Sequence, residues 1–465
     1  MTTSALDVLS VAGPVDLPLV GEADVQAACG LMHVHGRRFG TPTLLGLDYA
    51  SIAAAELAET GLLAAELARA RGIPIRGVAT SVAQAALLAV CQYLAAATAD
   101  DDWPEPLLPG GPPFVSADGV AFEIEAFDAP VWQRFWAALH ADQYAVASGW
   151  RPFVLRYATA SCALPPQLAD LLASTPFGVV EDVARRNGMS LMRVSDRMID
   201  DLPPYVVGAL PGRARENRSR PVVVLPLSGM VVLESCRRVL GPMAGHLLGL
   251  LGATVVRVEP PGGDPLRGVP PMSGDCSARF RALNRGKEVV EIDLNTSAGR
   301  RDVLELARGA DVFLHNWGPG KAEERGLRAE DLAWVQPGIV YAHASGWGDR
   351  LGPRPPMGTD FMVQAHAGVA PSLMTIVDVF GGLVCAHGVV DALLRRERTE
   401  QGQCVDSSLL SGASRLNARS RERCSIPLTV PVCTDLAALA ADPRFAPVLI
   451  RDGCAFPLSP WEFTT

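Results

Sequence analysis

The sequence predicts an α/β protein, with a Rossmann-like parallel sheet in a large domain and a smaller α+β domain beside it. Three observations carry this. From Met230 onward, short Val/Ile/Leu-rich runs alternate with helical patterns, as βαβ units require. Before that point an Asp-Gly turn sits between two alternating runs. At 465 residues the chain is long enough for more than one domain.

In chain order, 48–97 reads as two Ala/Leu-rich helices interrupted at Gly72-Ile73-Pro74, followed by a polar linker over 100–113. A hairpin is predicted over 113–124 about Asp118-Gly119, then helices at 130–140, 166–173 and 179–187. The Pro-, Gly- and Arg-rich stretch 203–220 reads as an interdomain linker. Beyond it, strands are predicted at 231–234, 254–259, 289–294, 310–316 and 339–345, with helices after Gly241-Pro242 and over 297–308. The resulting division is 1–110 as a helical segment, 111–202 as the small α+β domain, 203–220 as linker, 221–420 as the Rossmann-like domain and 421–465 as a closing segment.

Composition narrows the function. A net charge of −9 argues against general nucleic-acid binding. No apolar run reaches the eighteen or so residues of a bilayer span, and the first residues lack a basic region, so a cytoplasmic protein without membrane contact is expected. Ten cysteines occur without a C-x-x-C pair, so no metal site is expected. Gly241-Pro242-Met243-Ala244-Gly245 is not the G-x-G-x-x-G of a dinucleotide site. The arginine-rich region 213–328 is a candidate surface for a phosphate-bearing ligand.

One segment occurs twice. Gln26-Ala27-Ala28-Cys29-Gly30 follows Glu22, and Gln364-Ala365-His366-Ala367-Gly368 follows Asp360, each glutamine four residues after its carboxylate. An aspartate, Asp48 or Asp378, then leads into a long helical run. On this matching the second connection is eight residues shorter, 14 against 22 from glutamine to aspartate. A partial internal duplication is predicted, and 1–110 is read as the partial duplicate.

More specific words follow one another in the second half: Leu227-Ser228-Gly229, Gly241-Pro242, Leu251-Gly252-Ala253, Val258-Glu259-Pro260-Pro261-Gly262-Gly263-Asp264 and Asn284-Arg285-Gly286-Lys287. Asn316 with Pro319-Gly320, Ser345-Gly346-Trp347-Gly348, Gly358-Thr359-Asp360 and Gly402-Gln403 continue the series. In this order they resemble the family III CoA-transferases, the CaiB/BaiF type that includes carnitine, formyl-CoA and bile-acid CoA-transferases and acyl-CoA racemases.

The resemblance implies an acyl-CoA:carboxylate CoA-transferase that uses coenzyme A as substrate and no prosthetic group. Asp360 matches the aspartate that attacks the thioester, giving an acyl anhydride and then an aspartyl-CoA thioester. A carboxylate suits this role because it is ionised at neutral pH without a general base. CoA contacts are expected from Arg257, Arg267, Asn284, Arg285, Lys287 and Asn316, with Glu22, Asp378 and Gln364 as secondary site residues.

The partners implied are an acyl-CoA and a carboxylic acid, in either a homodimer or a pseudo-dimeric monomer. The family's small domain normally follows the large one, whereas here it precedes. Pro260, Asn295 and Glu324 stand where the family usually has cations, and the shortened connection after Gln364 lacks the family's glycine-rich loop. Two alternatives therefore stand beside the transferase: a racemase using Asp378, although Thr359 occupies the partner histidine's position, and a non-catalytic acyl-CoA-binding relative.

Overall fold

The computed structural model describes residues 8–101, 109–212, 225–420 and 427–465. Its main sheet contains seven strands: β1 (Tyr205–Ala209), β2 (Val231–Ser235), β3 (Thr254–Glu259), β4 (Glu288–Glu291), β5 (Val312–His315), β6 (Val340–Ser345) and β7 (Gln403–Ser408). Their spatial order is β4-β3-β2-β5-β6-β7-β1, and every neighbour is parallel except β1, which runs antiparallel to β7. Central β5 is buried along its whole length, which is why it reads as a continuous apolar run rather than an alternating one. The expected α/β class holds.

Strand β1 corrects the sequence reading. Residues 203–220 were expected to be linker, but Tyr205–Ala209 pairs with Gln403–Ser408 as an edge strand. An edge strand is fixed by its partner's backbone, and the surrounding prolines and glycines conceal that. The rest of the expected linker, 213–220, lies outside the described residues, as does 102–108 of the earlier polar stretch.

Six helices matter for the site: α1 (Glu22–Ala28), α2 (Tyr49–Ala70), α3 (Leu240–Leu250), α4 (Asp360–Ala367), α5 (Ile376–Thr399) and α6 (Leu409–Arg419). Helices α2 and α5 lie side by side in the same direction. Tyr49 Oη donates to the Ile376 carbonyl at 3.0 Å near their starts, Glu56 meets His387 Nδ1 at 2.6 Å further on, and Glu66 pairs with Arg398 near their ends. Helix α5 is long and apolar enough to cross a bilayer, yet 83% of its most apolar window is buried inside the protein, as befits a core helix.

The predicted hairpin forms, with Phe114 opposite Phe122 and Gly119 at φ 78° in the turn. A third strand, Ser190–Arg193, joins it from the far end of the segment, outside the reach of local pattern. Helices pack on this sheet through Trp132, Phe135, Trp136 and Phe153, all fully buried, and the Trp132 indole N–H donates to the Val146 carbonyl at 2.9 Å. The helical stretch expected over 48–97 also contains a strand, Gly77–Ser81, which pairs with Leu9–Ser10 on one side and Glu462–Thr464 on the other. The chain's closing residues thus join its opening segment.

Candidate functional site

The floor of the site is built by α4. Thr359 caps its start in extended conformation, and Asp360 follows as the first helical residue, 2% exposed. Asp360 Oδ2 accepts the main-chain N–H of Asp378 at 2.6 Å, and Oδ1 accepts the Gln364 side-chain amide. Gln364 is itself tethered: its amide also donates to the Ser372 carbonyl at 3.1 Å, while its carbonyl accepts the Ser372 N–H at 2.8 Å. The glutamine thus ties the helix to the following loop and turns one amide N–H toward the carboxylate.

Burial pushes Asp360 well above the ordinary carboxylate range, the charge of Asp378 adds to the push, and the Asp378 and Gln364 donors oppose it. Asp378 is pushed up to about 7, again mainly by burial, with Arg238 and the Leu240 N–H opposing and Glu125 adding.

The first copy repeats this construction. Gln26 donates to Glu22 Oε1 at 2.7 Å and to the Leu47 carbonyl at 3.0 Å, and accepts the Leu45 N–H at 2.9 Å. Glu22 also accepts the N–H groups of Ala50 and Ser51 at 3.0 and 2.7 Å and the Ser51 hydroxyl at 2.6 Å. Ser51, not Asp48, therefore occupies the place of Asp378, and Asp48 matches Thr375 as the residue preceding its long helix. Glu22 and Asp360 are 338 positions apart whereas Tyr49 and Ile376 are 327 apart, so the second connection is eleven residues shorter, not eight.

Asp360 and Asp378 both line a cavity of about 1730 Å³. It opens at the carboxyl ends of the strands, where Glu259 (β3), His315 (β5) and Ser345 (β6) also border it, the usual ligand position in open parallel sheets. Its other wall comes from the segment before the main sheet. Glu125 there accepts the Thr359 hydroxyl at 2.9 Å and the Arg156 guanidinium at 3.1 Å. Arg156 also lies 4.7 Å from the centre of the Phe361 ring, and Ser190 Oγ accepts the Met357 N–H at 3.1 Å. Burial pushes the adjacent Glu123 up to about 8, against the pull of Arg156.

Of the expected CoA contacts, Asn316 lines the cavity, where it exchanges hydrogen bonds with the Arg237 main chain at 2.8 and 3.0 Å. The other five do not line it. Arg257 is 1% exposed and bonds to Glu234, Glu259 and Asp264 at 2.5, 3.0 and 2.6 Å. Arg267 grips Glu259 at 2.8 Å through two N–H groups. Lys287 donates to Glu234, the Pro242 carbonyl and Asn284 at 2.8, 2.8 and 3.0 Å. Arg285 meets the Pro457 carbonyl at 3.1 Å and covers the Phe456 ring.

Arg257, Arg267, Lys287 and Asn284 form an ion and hydrogen-bond network that braces α3 and β3, and Arg285 is turned to the closing segment, so the expected placement of these five at the ligand cavity is corrected. The sequence reading passed over Arg238, Glu125 and Arg156, which do line the cavity. For Arg238 the available signal was Arg237-Arg238 wedged between a strand and a helix.

A grouping of metal-ligating types, Glu56, Glu59 and His387, is occupied differently. Its carboxylates are paired with Arg415 at 3.2 and 2.9 Å and with Arg419 at 3.5 and 2.6 Å.

A clamped, buried carboxylate at the strand ends of an α/β sheet, walled by a second segment of the same chain, defines the class. The family model described as CoA-transferase family III matches residues 20–198 and 227–421, and the chain belongs to that family. The two matched segments accord with the internal duplication.

An acetyl-CoA:oxalate CoA-transferase from Acetobacter aceti is 34% identical over 201 residues, 40% of this chain and 51% of that protein. The probable fatty acyl-CoA transferase Rv3272 of Mycobacterium tuberculosis is 36% identical over 209 residues, 42% of this chain and 52% of the relative. A mouse (Mus musculus) succinyl-CoA:glutarate CoA-transferase is 35% identical over 200 residues, 40% of this chain and 46% of the relative. The chain thus spans about half the length of the curated relatives it matches. A crystal structure of Rv3272 matches at 36% identity with a TM-score of 0.39, covering 42% of this chain and 58% of that one.

Proposed function

We propose that the protein transfers CoA between an acyl-CoA and a carboxylic acid, with Asp360 as nucleophile. The observation that carries this is the Asp360 carboxylate, held by Gln364 and the Asp378 N–H at the floor of the large cavity. Asp360 attacks the thioester carbonyl, the C–S bond breaks, and CoA leaves as thiolate. The thiolate then attacks the aspartyl carbonyl of the anhydride, releasing the donor acid and leaving an aspartyl-CoA thioester. Charge developing on the aspartyl oxygens in that step meets the same two donors, which need no reorganisation. The acceptor carboxylate attacks that thioester and expels CoA thiolate, giving a second anhydride, and the thiolate attacks the acceptor's carbonyl there, releasing the new acyl-CoA and free Asp360.

The strand order and the cavity at the strand ends support a Rossmann-like reading of 221–420, with 111–202 as a separate small domain that walls the cavity. For the CoA phosphates, Arg237 and Arg325 at the cavity mouth replace the buried cations of the network, with Asn316 beside them. Burial, and the like charges of Arg237 and Arg300, hold Arg325 below the usual guanidinium range, against the pull of Glu324, so an anion there is favoured. Both matched segments contribute to one cavity, which supports a pseudo-dimeric monomer over a homodimer; mass in solution tests it.

Its relatives include oxalate and glutarate CoA-transferases, which supports a carboxylic acid acceptor. The test is incubation with acyl-CoA donors and hydroxylamine, followed by mass spectrometry. A hydroxamate on Asp360 that is absent from D360A is expected, and no adduct with any donor would remove the nucleophile assignment. If CoA still binds while no adduct forms, the chain is a non-catalytic relative.

A second reading is favoured by Asp378, whose carboxylate lines the cavity and takes up its proton near neutrality. It is a candidate acid/base for α-proton exchange, although Thr359 offers no second base. α-Deuterium exchange without acyl transfer would select it.

A further inference from the structure

Ser51 and Asp378 hold matching positions in the two copies but are put to different uses. The Ser51 hydroxyl is spent on Glu22 at 2.6 Å. Asp378 gives Asp360 its main-chain N–H, at 2.6 Å, while the residue stays partly exposed and lines the cavity beside that carboxylate. The Leu240 N–H and the charge of Arg238 act on the Asp378 carboxylate, so groups outside α5 help to hold it. It takes up its proton at about pH 7, the range in which a general base works best.

The connections between the helices leave the space over Asp360 uncovered on their side. In the first copy, residues 29–48 join α1 to α2 and include a short helix, Leu31–Gly36. They pack on the second connection, where His35 Nδ1 meets Ser372 Oγ at 2.9 Å. The second connection is eleven residues shorter. Among the described residues neither connection lines the cavity. Active sites that protect a reactive acyl intermediate exclude water from it, whereas this cavity of about 1730 Å³ opens at the strand ends and sets a second carboxylate beside the nucleophile.

We propose that the protein hydrolyses acyl-CoA, with Asp378 as the general base that directs water onto the acyl group carried by Asp360. The inference rests on the reading of Asp360 as nucleophile and gives the same intermediate a second outcome. Asp360 first displaces CoA thiolate from the thioester, forming the acyl anhydride. Water then attacks the acyl carbonyl as Asp378 takes its proton, the bond from that carbon to the Asp360 oxygen breaks, and Asp360 leaves as carboxylate. The acyl carbonyl is the one within reach, because Asp360 itself is only 2% exposed. The proton passes from Asp378 to the CoA thiolate, so that acyl-CoA and water give a carboxylic acid and free CoA thiol.

The test omits any acceptor acid. The protein is mixed with acetyl-, butyryl- or octanoyl-CoA, and free CoA thiol and acid are followed together. Release over many turnovers is expected with at least one donor, and none in D360A. Asp378→Asn is expected to lower the rate about 10²-fold or more, the contribution of a general base. Asp378→Ser, which gives the second copy the residue of the first, should do the same. Hydroxylamine separates water activation from a folding defect, since it attacks acyl groups without a base. In D378N the split between acid and hydroxamate is therefore expected to move toward hydroxamate by about 10²-fold or more.

CoA release that stops at a single equivalent, no release with any of the three donors, or a D378N protein with the wild-type rate and split would overturn the hydrolase. A hydroxamate on Asp360 in the same experiment would leave the nucleophile assignment standing. Undiminished hydrolysis in D360A would overturn both. Hydrolysis that requires Asp360 and Asp378, in a protein that transfers CoA to no acid, would uphold the inference and reject the transferase reading instead.

Discussion

Gln26 and Gln364 perform the same task in the two copies: each donates to the carboxylate four residues before it and also bonds the loop that follows. The difference lies in what each carboxylate faces. Asp360 lines the large cavity beside a second carboxylate, whereas Glu22 bonds the start of its long helix and has the Ser51 hydroxyl where Asp378 stands in the other copy. The duplicated frame therefore places one carboxylate at the large cavity and the other outside it, tied to its own long helix.

Removing the two glutamines should separate these roles. Gln364→Ala deletes a donor to Asp360, the proposed nucleophile, so kcat of the proposed transfer should fall by about 10²-fold, the range for loss of one oxyanion donor. Gln26→Ala should cost about 1–3 kcal/mol of stability through unsatisfied loop groups and leave kcat within about threefold, since neither Gln26 nor Glu22 lines the cavity. Paired urea melts and steady-state rates check both.

Glu22 gives a complementary result. It accepts four hydrogen bonds, three of them from the first turn of α2. Glu22→Ala should lower stability by roughly 1–3 kcal/mol, and hydroxylamine trapping at Asp360 should persist. Loss of that trapping in a folded E22A protein would mean that the two copies share one catalytic centre.

The βαβ half was legible because buried parallel strands write themselves as apolar runs: Thr254–Glu259 forms as read and Val231–Ser235 within one residue. Edge strand Tyr205–Ala209 and distant Ser190–Arg193 were not, since each depends on a partner far along the chain. Asp360 and Gln364 were legible as a spaced pair. Asp48 and Asp378 misled because they share a letter, while the register is set by main-chain hydrogen bonds that a sequence does not display. Arginine is ambiguous in another way. Arg257 and Arg238 look alike in a basic stretch, yet one is enclosed by three carboxylates and the other stacks on an aromatic ring at the cavity.

Arg257 supplies a direct contrast between bracing and binding. Replacing it by methionine leaves Glu234, Glu259 and Asp264 buried without its charge, and breaking such a network costs about 3–5 kcal/mol. The urea midpoint of Arg257→Met should drop accordingly, while CoA affinity, measured by calorimetry well below that midpoint, should stay within about threefold, since Arg257 does not line the cavity. A loss of CoA affinity without a loss of stability would restore Arg257 as a phosphate contact.

The Asp360 and Asp378 pair sets the pH dependence. Both carboxyls hold their protons more tightly in the folded protein than in the unfolded chain, Asp378 being raised from 3.8 to about 7. Below the unfolded value both states are protonated and no stability is lost. As pH climbs from about 4 the unfolded chain gives up protons that the native state retains, so stability falls through the Asp378 value of about 7 and levels off only once Asp360 has ionised as well.

Asp378→Asn removes the titration but keeps the main-chain N–H that donates to Asp360. Its urea midpoint should match wild type near pH 3 and exceed it at pH 8, by at most a few kcal/mol in stability. The proposed transfer reaction would follow the opposite course, because its nucleophile must be ionised: kcat should rise with pH as Asp360 gives up its proton. Stability curves for wild type and D378N that stay parallel from pH 4.5 to 8 would show that Asp378 is already ionised at acid pH, and the carboxylate pair would then have no part in the pH profile.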